Sequence, residues 1–189
     1  MTDDVELELD ETPGACSRLP MHRLLTEFLD KKDVKYRSMD HPAEGQTTLV
    51  SALRGHAARQ AAKCMVIEVR GILVGIRHVL AVVPGDRRVD FRRIRTLYGG
   101  TDASLADREI VEDLTGCIPG CVIPVSFRDE LRTVFDPILL EQGEIFFNAA
   151  RLDQSVALSA ADLVSATGAV IHPISRPVST LAPRTALRV

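Results

Sequence analysis

Tryptophan is missing from this chain of 189 residues, and all aromatics together make up only 4% of it. Stacking platforms for single-stranded bases are therefore scarce, which argues against a generic single-strand binder. The interior must be filled by Val, Leu, Ile and Ala. Long apolar runs are absent as well: none approaches the roughly 18 residues of a membrane span. The opening MTDDVELELDET is acidic where a secretory leader would be basic and then apolar. The sequence reads as that of a cytoplasmic protein with no membrane partner. Four cysteines, Cys16, Cys64, Cys117 and Cys121, are too few for a disulfide framework. Cys117 and Cys121 have no CxxC pair or HxxxH cluster beside them, so a zinc site would lack half its ligands. Neither a metal nor another cofactor is expected. Missing too are GxxxxGK[ST], a GxGxxG after a strand and a GxSxG elbow, which removes the commonest phosphate, dinucleotide and serine-hydrolase sites.

What is present suffices for one packed domain, with 46% hydrophobic and 26% charged residues. The net charge of −3 hides an asymmetry, because Asp3, Asp4, Glu6, Glu8, Asp10 and Glu11 are answered by no base before residue 13. The remainder of the chain is basic in balance. Composition divides it into an acidic segment over 1–19, a folded domain over 20–172 and a basic, Pro-containing tail over 173–189.

Along the domain, Leu24, Leu25, Phe28 and Leu29 share one helical face, and a second helix is expected from Thr47 to Ala62 on Leu49, Val50, Leu53 and Ala57. Lys63–Val69 and Ile76–Val83 read as a hairpin closed by Pro84-Gly85-Asp86. Two short helices are expected over 90–98 and 106–115. Short strands follow at Val122–Phe127, Thr133–Phe135, Glu144–Asn148 and Ser155–Leu158; Ser159 then caps a last helix, and Ala169–Ile174 is a final strand. Without regular βαβ alternation the class is α+β, with a mixed or antiparallel sheet.

Chemistry concentrates in a few places. Two glycines flank a proline in Leu114-Thr115-Gly116-Cys117-Ile118-Pro119-Gly120. Such a loop can aim successive N–H groups at an oxyanion, or it can be a helix C-cap and an ordinary turn. Lys63 stands at the mouth of an apolar strand, where a lysine is either solvated or a site cation. Arg87, Arg88, Arg92, Arg93 and Arg95 form a dense basic patch, either a solvated helix face or a surface for nucleic-acid phosphates.

Taken in order, the helix ending in Ala61-Ala62-Lys63, the run His78-Val79-Leu80-Ala81-Val82-Val83-Pro84-Gly85-Asp86, the Gly116–Gly120 loop, Phe135-Asp136-Pro137 and Phe147-Asn148-Ala149-Ala150 resemble the YbaK/ProX aminoacyl-tRNA deacylases. That family includes the editing domain of bacterial prolyl-tRNA synthetases. Ser51-Ala52-Leu53-Arg54-Gly55-His56 and Asp136-Pro137-Ile138-Leu139-Leu140 look closest to its YeaK-like branch, associated with Ser- and Thr-charged tRNA. The resemblance implies a mixed, largely antiparallel curved sheet with flanking helices, and a trans-editing, metal-independent hydrolase of mischarged aminoacyl-tRNA, with a synthetase as a further partner. It implies catalytic roles for Lys63, Gly116, Ile118, Pro119 and Gly120, with attack assisted by the substrate's own ribose hydroxyl. Asp136 and Asn148 would border the pocket, and His41, His78 and Ser126 are further polar candidates for a hydroxylated side chain. Two departures stand out: Ala150 replaces a usual glycine, and Val125 a frequent phenylalanine. The rival functions are a catalytically silent binding module of the same fold and a hydrolase of some other small acyl ester.

Overall fold

The computed structural model describes residues 20–178. The acidic segment 1–19, Cys16 with it, and residues 179–189 lie outside the described residues. Helix α1 (Met21–Lys31) buries Leu25 and Leu29, one turn apart, as the periodicity predicts. The expected hairpin forms from β2 (Ala62–Gly71) and β3 (Gly75–Pro84), with Lys63 opposite Val83. It is the spine of a five-stranded sheet ordered β5-β2-β3-β6-β9, in which β5 is Asp102–Leu105, β6 is Arg132–Phe135 and β9 is Val170–Ile171. β6 runs parallel to both β3 and β9, whereas the other pairs are antiparallel, so the sheet is mixed.

This sheet is buried on both faces, which is why its central strands are continuously apolar rather than alternating. Val66, Leu80 and Val82 face the main core with Leu25, Leu29, Phe135, Ile145 and Leu163. Ile67, Val69, Val79, Ala81 and Val83 face a second cluster closed by Ile94 and Ile174. Ile94 belongs to α3 (Phe91–Leu97), whose start is fixed by Asp90 accepting from the N–H groups of Arg92 and Arg93. A three-stranded antiparallel sheet ordered β1-β8-β7 lies beside the first: β1 is Tyr36–Asp40, β7 Glu144–Asn148 and β8 Gln154–Ser159. A single bridge, Ala61 to Phe146, joins the two sheets. α4 (Arg108–Thr115), α5 (Pro137–Leu140) and α6 (Ala160–Thr167) complete the main core, α6 being capped by Ser159 as expected. The α+β class stands, but the strands divide into separate sheets instead of one.

Three local expectations give way. The second helix, α2 (Thr47–Arg54), stops well before Ala62, because Gly55 takes a left-handed conformation (φ 73°) and ends it; Ala58–Gln60 is a separate 3-10 turn. Its buried residues are Val50 and Ser51, while Leu49 and Leu53 are each 50% exposed. Val122–Phe127 is buried in part but is no strand: its apolar side chains enter the core without a partner strand. Finally, the domain does not end at 172. Ile174 is fully buried, and β10 (Ser175–Pro177) pairs with β4 (Arg87–Val89) in a two-stranded ribbon.

Candidate active site

A cavity of about 220 Å³ opens where the two sheets meet. Thr47, Val50 and Arg54 reach it from α2; their spacing of three and four residues puts them on one helical face. Lys63 enters from the second residue of strand β2, Phe146, Phe147 and Asn148 from β7, and Gly45, Gly120 and Val122 from two loops. The loops touch backbone to backbone. A Cβ on Gly120 would stand 3.1 Å from Gly45 Cα, and Gly120 has φ 97°, a region that favours glycine.

Asn148 ties these parts together. It is 6% exposed, and its Nδ2 donates to the carbonyl oxygens of Glu44 and Gly120, each at 2.9 Å. Its Oδ1 accepts from Arg54 Nη2 and from Ser155 Oγ, the latter at 3.2 Å. His41 Nε2 lies 2.5 Å from Ser155 Oγ, so the chain of polar contacts runs from the cavity out to the end of β1. The wall behind Arg54 is aromatic: His56 stacks on Phe146 with ring centroids 3.9 Å apart.

Two cations line the cavity, and among the described residues no Asp or Glu does. Lys63 Nζ donates to the carbonyl oxygens of Arg87 and Gly85 at the turn between β3 and β4. Burial lowers its pKa, an effect Asp86 opposes and Arg88 reinforces. Burial also brings Arg54 down to about 10. A negative group entering this space would meet positive charge in a partly dry setting. Among the described residues no group of three His, Cys, Asp or Glu side chains stands close enough to hold a metal ion, and no helix is long and apolar enough to cross a membrane.

The structure thus brings Lys63, Gly120 and Asn148 together, with His41 one contact behind. The rest of the loop is elsewhere: Gly116 ends α4 with φ 65°, and Ile118 and Pro119 turn outward. Cys117 N–H is taken by Thr115 Oγ1 and Cys121 N–H by Ile118 O, whereas Gly120 N–H meets no acceptor among the described residues. Of residues 116–120, Gly120 is the one that lines the cavity. Three substrate-binding candidates are displaced. His78 lies at the far end of β3, its Nε2 3.4 Å from Glu68 Oε2. Ser126 Oγ closes its own loop on the N–H and carbonyl of Arg128. Asp136 is 1% exposed and caps α5, with Oδ1 accepting from Ile138 N–H and Oδ2 from the N–H groups of Ile174 and Ser175. The basic patch is also divided. Arg87 donates to Ser175 Oγ and Arg93 to Ser175 O, while Arg88 and Arg92 are exposed and Arg95 half-buried. Arg54 and Thr47 were not singled out from the sequence; their signal was the polar, apolar, polar recurrence of Thr47, Val50 and Arg54 on one helical face.

The cavity lies between a hairpin and a smaller sheet, bordered by Gly45 and Gly120 and tied by Asn148, and two cations but no acid line it among the described residues. Residues 41–166 match the model of the aminoacyl-tRNA editing domain. This chain belongs to the aminoacyl-tRNA editing domain family. It is 41% identical over 142 residues, 75% of this chain and 84% of the relative, to the multifunctional Ser/Thr-tRNA deacylase ProXp-y of Escherichia coli (strain K12). Among solved structures, the crystal structure of a hypothetical protein superposes with a TM-score of 0.73 at 25% identity, covering 80% of this chain and 99% of that one. The structure of a candidate trans-editing enzyme for prolyl-tRNA synthetase gives a TM-score of 0.70 at 24% identity, covering 85% and 99%; this likeness shows the shared fold.

Proposed function

We propose that the chain is a trans-editing deacylase that hydrolyses the ester of mischarged aminoacyl-tRNA, with seryl- and threonyl-tRNA as its preferred substrates. The observation that carries the reading is the convergence of Lys63, Gly120 and Asn148 on one small cavity without a carboxylate, in a chain 41% identical to a Ser/Thr-tRNA deacylase. Water adds to the ester carbonyl, charge collects on the carbonyl oxygen, and the acyl–oxygen bond breaks. The products are a free amino acid and a tRNA whose ribose oxygen has regained its proton. In this reading Gly120 N–H receives the developing charge, and Lys63 holds the terminal ribose or phosphate. At about 220 Å³ the cavity lies below the roughly 300–1,000 Å³ of sites that engulf whole ligands. It suits the aminoacyl group, leaving the adenosine outside. Thr47 supplies polar lining for a hydroxylated side chain, and a site that hydrogen-bonds a hydroxyl rejects analogues lacking it far more strongly than an apolar one does.

The tRNA backbone would approach over the ribbon of β4 and β10. This ribbon starts at the carbonyls that hold Lys63, and on it Arg88 stands directly opposite Arg176. Like charges facing one another across strands cost stability, and a phosphate between them would relieve that cost. Arg92 and Arg95 extend the same surface, where Arg87 and Arg93 mainly secure Ser175. The reaction belongs in the cytoplasm, where a synthetase releases its mischarged product, and a passing contact with that synthetase fits the reading. Steady-state rates on Ser-, Thr-, Ala- and Pro-charged tRNA test it: Ser and Thr should be released fastest, and no release from any of the four refutes it. Lys63→Ala should fold normally and lose most of the turnover.

A further inference from the structure

The cavity's second cation has no part in the chemistry just described. Arg54 sits half-buried on the last turn of α2, and its charge is opposed by burial alone. Holding a guanidinium there is costly unless its donors are used. Only Nη2 has a protein acceptor, Asn148 Oδ1, while the Nε–H is buried with no partner among the described residues. No carboxylate lines the cavity to receive it. Lys63 is in the opposite condition, its ammonium already donating to two main-chain carbonyls. Lys63 thus keeps one N–H to give, whereas Arg54 keeps most of the five donors of a guanidinium. Asn148, itself held by Glu44, Gly120 and Ser155, fixes the plane in which those donors lie.

We propose that Arg54 is a substrate-contacting residue of this site, its planar guanidinium anchored by Asn148 and its free N–H given to an oxygen of the aminoacyl ester. The proposal rests on the deacylase reading and adds the group that grips the acyl end. A flat, permanently charged fork suits this task, because it can hold a protein acceptor on one N–H and the substrate on another without changing orientation. With two cations and no acid at hand, the substrate would be recognised through its oxygen atoms rather than through its ammonium group.

The test pairs Arg54→Lys, which keeps the charge but loses the fork, with Arg54→Ala. Kinetics are read on seryl-tRNA, and affinity is read on a seryl-adenosine carrying an amide in place of the ester. Both variants should lose turnover by about a hundredfold, as removal of a donor to a developing oxyanion does, with melting temperatures close to that of the parent. Millimolar methylguanidinium should raise the Arg54→Ala rate at least tenfold and leave the parent unchanged, which a purely structural arginine would not allow. The amide analogue should bind Arg54→Lys at least tenfold more weakly. Parental turnover and affinity in Arg54→Lys, or an Arg54→Ala rate that methylguanidinium leaves where it was, overturns the proposal. A parent protein that binds the analogue but releases no amino acid overturns the deacylase reading, and Arg54 is then judged by affinity; failure to bind it at all removes both.

Discussion

Asp136 and Asn148 are both buried, both polar and both follow a phenylalanine at the end of a strand, yet the regions around them do opposite things. Around Asp136 every contact is with main-chain N–H groups: Ile138 within α5, and Ile174 and Ser175 on the incoming C-terminal segment. The carboxylate is enclosed and opens on no cavity, so its work is to dock β10 and seal the second core with Ile174. Around Asn148 the partners are a mixture: two carbonyls from separate loops, a serine and an arginine, arranged about an open space. A polar group saturated by backbone holds the fold together. One that gathers side chains around a void serves a ligand.

The contrast yields a graded set of expectations. The largest effect should come from Asp136→Ala, which strips two buried N–H groups and one half-buried one of a charged acceptor and should cost about 5 kcal/mol, a large part of a typical domain's stability. Urea unfolding measures it, and turnover per folded molecule should stay near normal; a matching loss of turnover would put Asp136 in the site after all. Asn148→Ala should do the reverse, lowering turnover about a hundredfold through misplacement of Arg54 and Gly120 while the unfolding midpoint moves far less. A third variant probes strain beside Asn148. Ala150 holds φ 60°, a region where an L-residue pays roughly 1–2 kcal/mol and glycine does not. Ala150→Gly should therefore raise stability by about 1 kcal/mol after glycine's own entropic cost, read as a higher Tm.

The smallest effect concerns His56. Burial against Phe146 lowers its pKa, Arg54 adding to that and the carbonyl of Ala57 and Glu144 opposing it. The unfolded chain then takes up a proton at a higher pH than the folded protein, so His56 favours folding above about pH 6.5 and this contribution is lost as pH falls below it. Melting curves of His56→Phe should show a shallower acid-side decline than the parent. An identical decline would assign the acid sensitivity to other groups.

Much of the scaffold was legible because it follows from periodicity. α1, the β2–β3 hairpin and α6 with its Ser159 cap were readable from apolar spacing and one side-chain cap. Where a local signal and a tertiary one competed, the tertiary one won. Val122–Phe127 looks like a strand but finds no edge to pair with, and β5, short and mixed in polarity, is made a strand only by its partner β2. The C-terminal strap was invisible because its anchor, a carboxylate meeting two backbone amides, leaves no trace in the residues it holds. In the site, Lys63, Gly120 and Asn148 could be placed through a family pattern. His78 and Ser126 were misplaced because residue type says nothing about which end of a strand or which loop faces the cavity. Arg54 is legible only within the Ser51–His56 run, which marks a branch of the family and not a site residue.

The contact between Gly45 and Gly120 limits how this protein can change by mutation. Each position is the clearance of the other, since a single methyl group on Gly120 would meet Gly45 Cα at 3.1 Å. Gly120 is the tighter of the two, held by both the contact and its φ of 97°, whereas a Cβ on Gly45 would meet Gly120 Cα at 3.4 Å and the side chain of Leu152 at 3.3 Å. In a saturation library Gly120 should tolerate almost nothing and Gly45 little beyond alanine, and a substitution at Gly120 should be recovered by shifting the opposite loop rather than by a point change nearby. Two sites far apart in the chain would then be inherited as one unit, so the width of the cavity mouth is recorded in two residues that contribute no side chain to it.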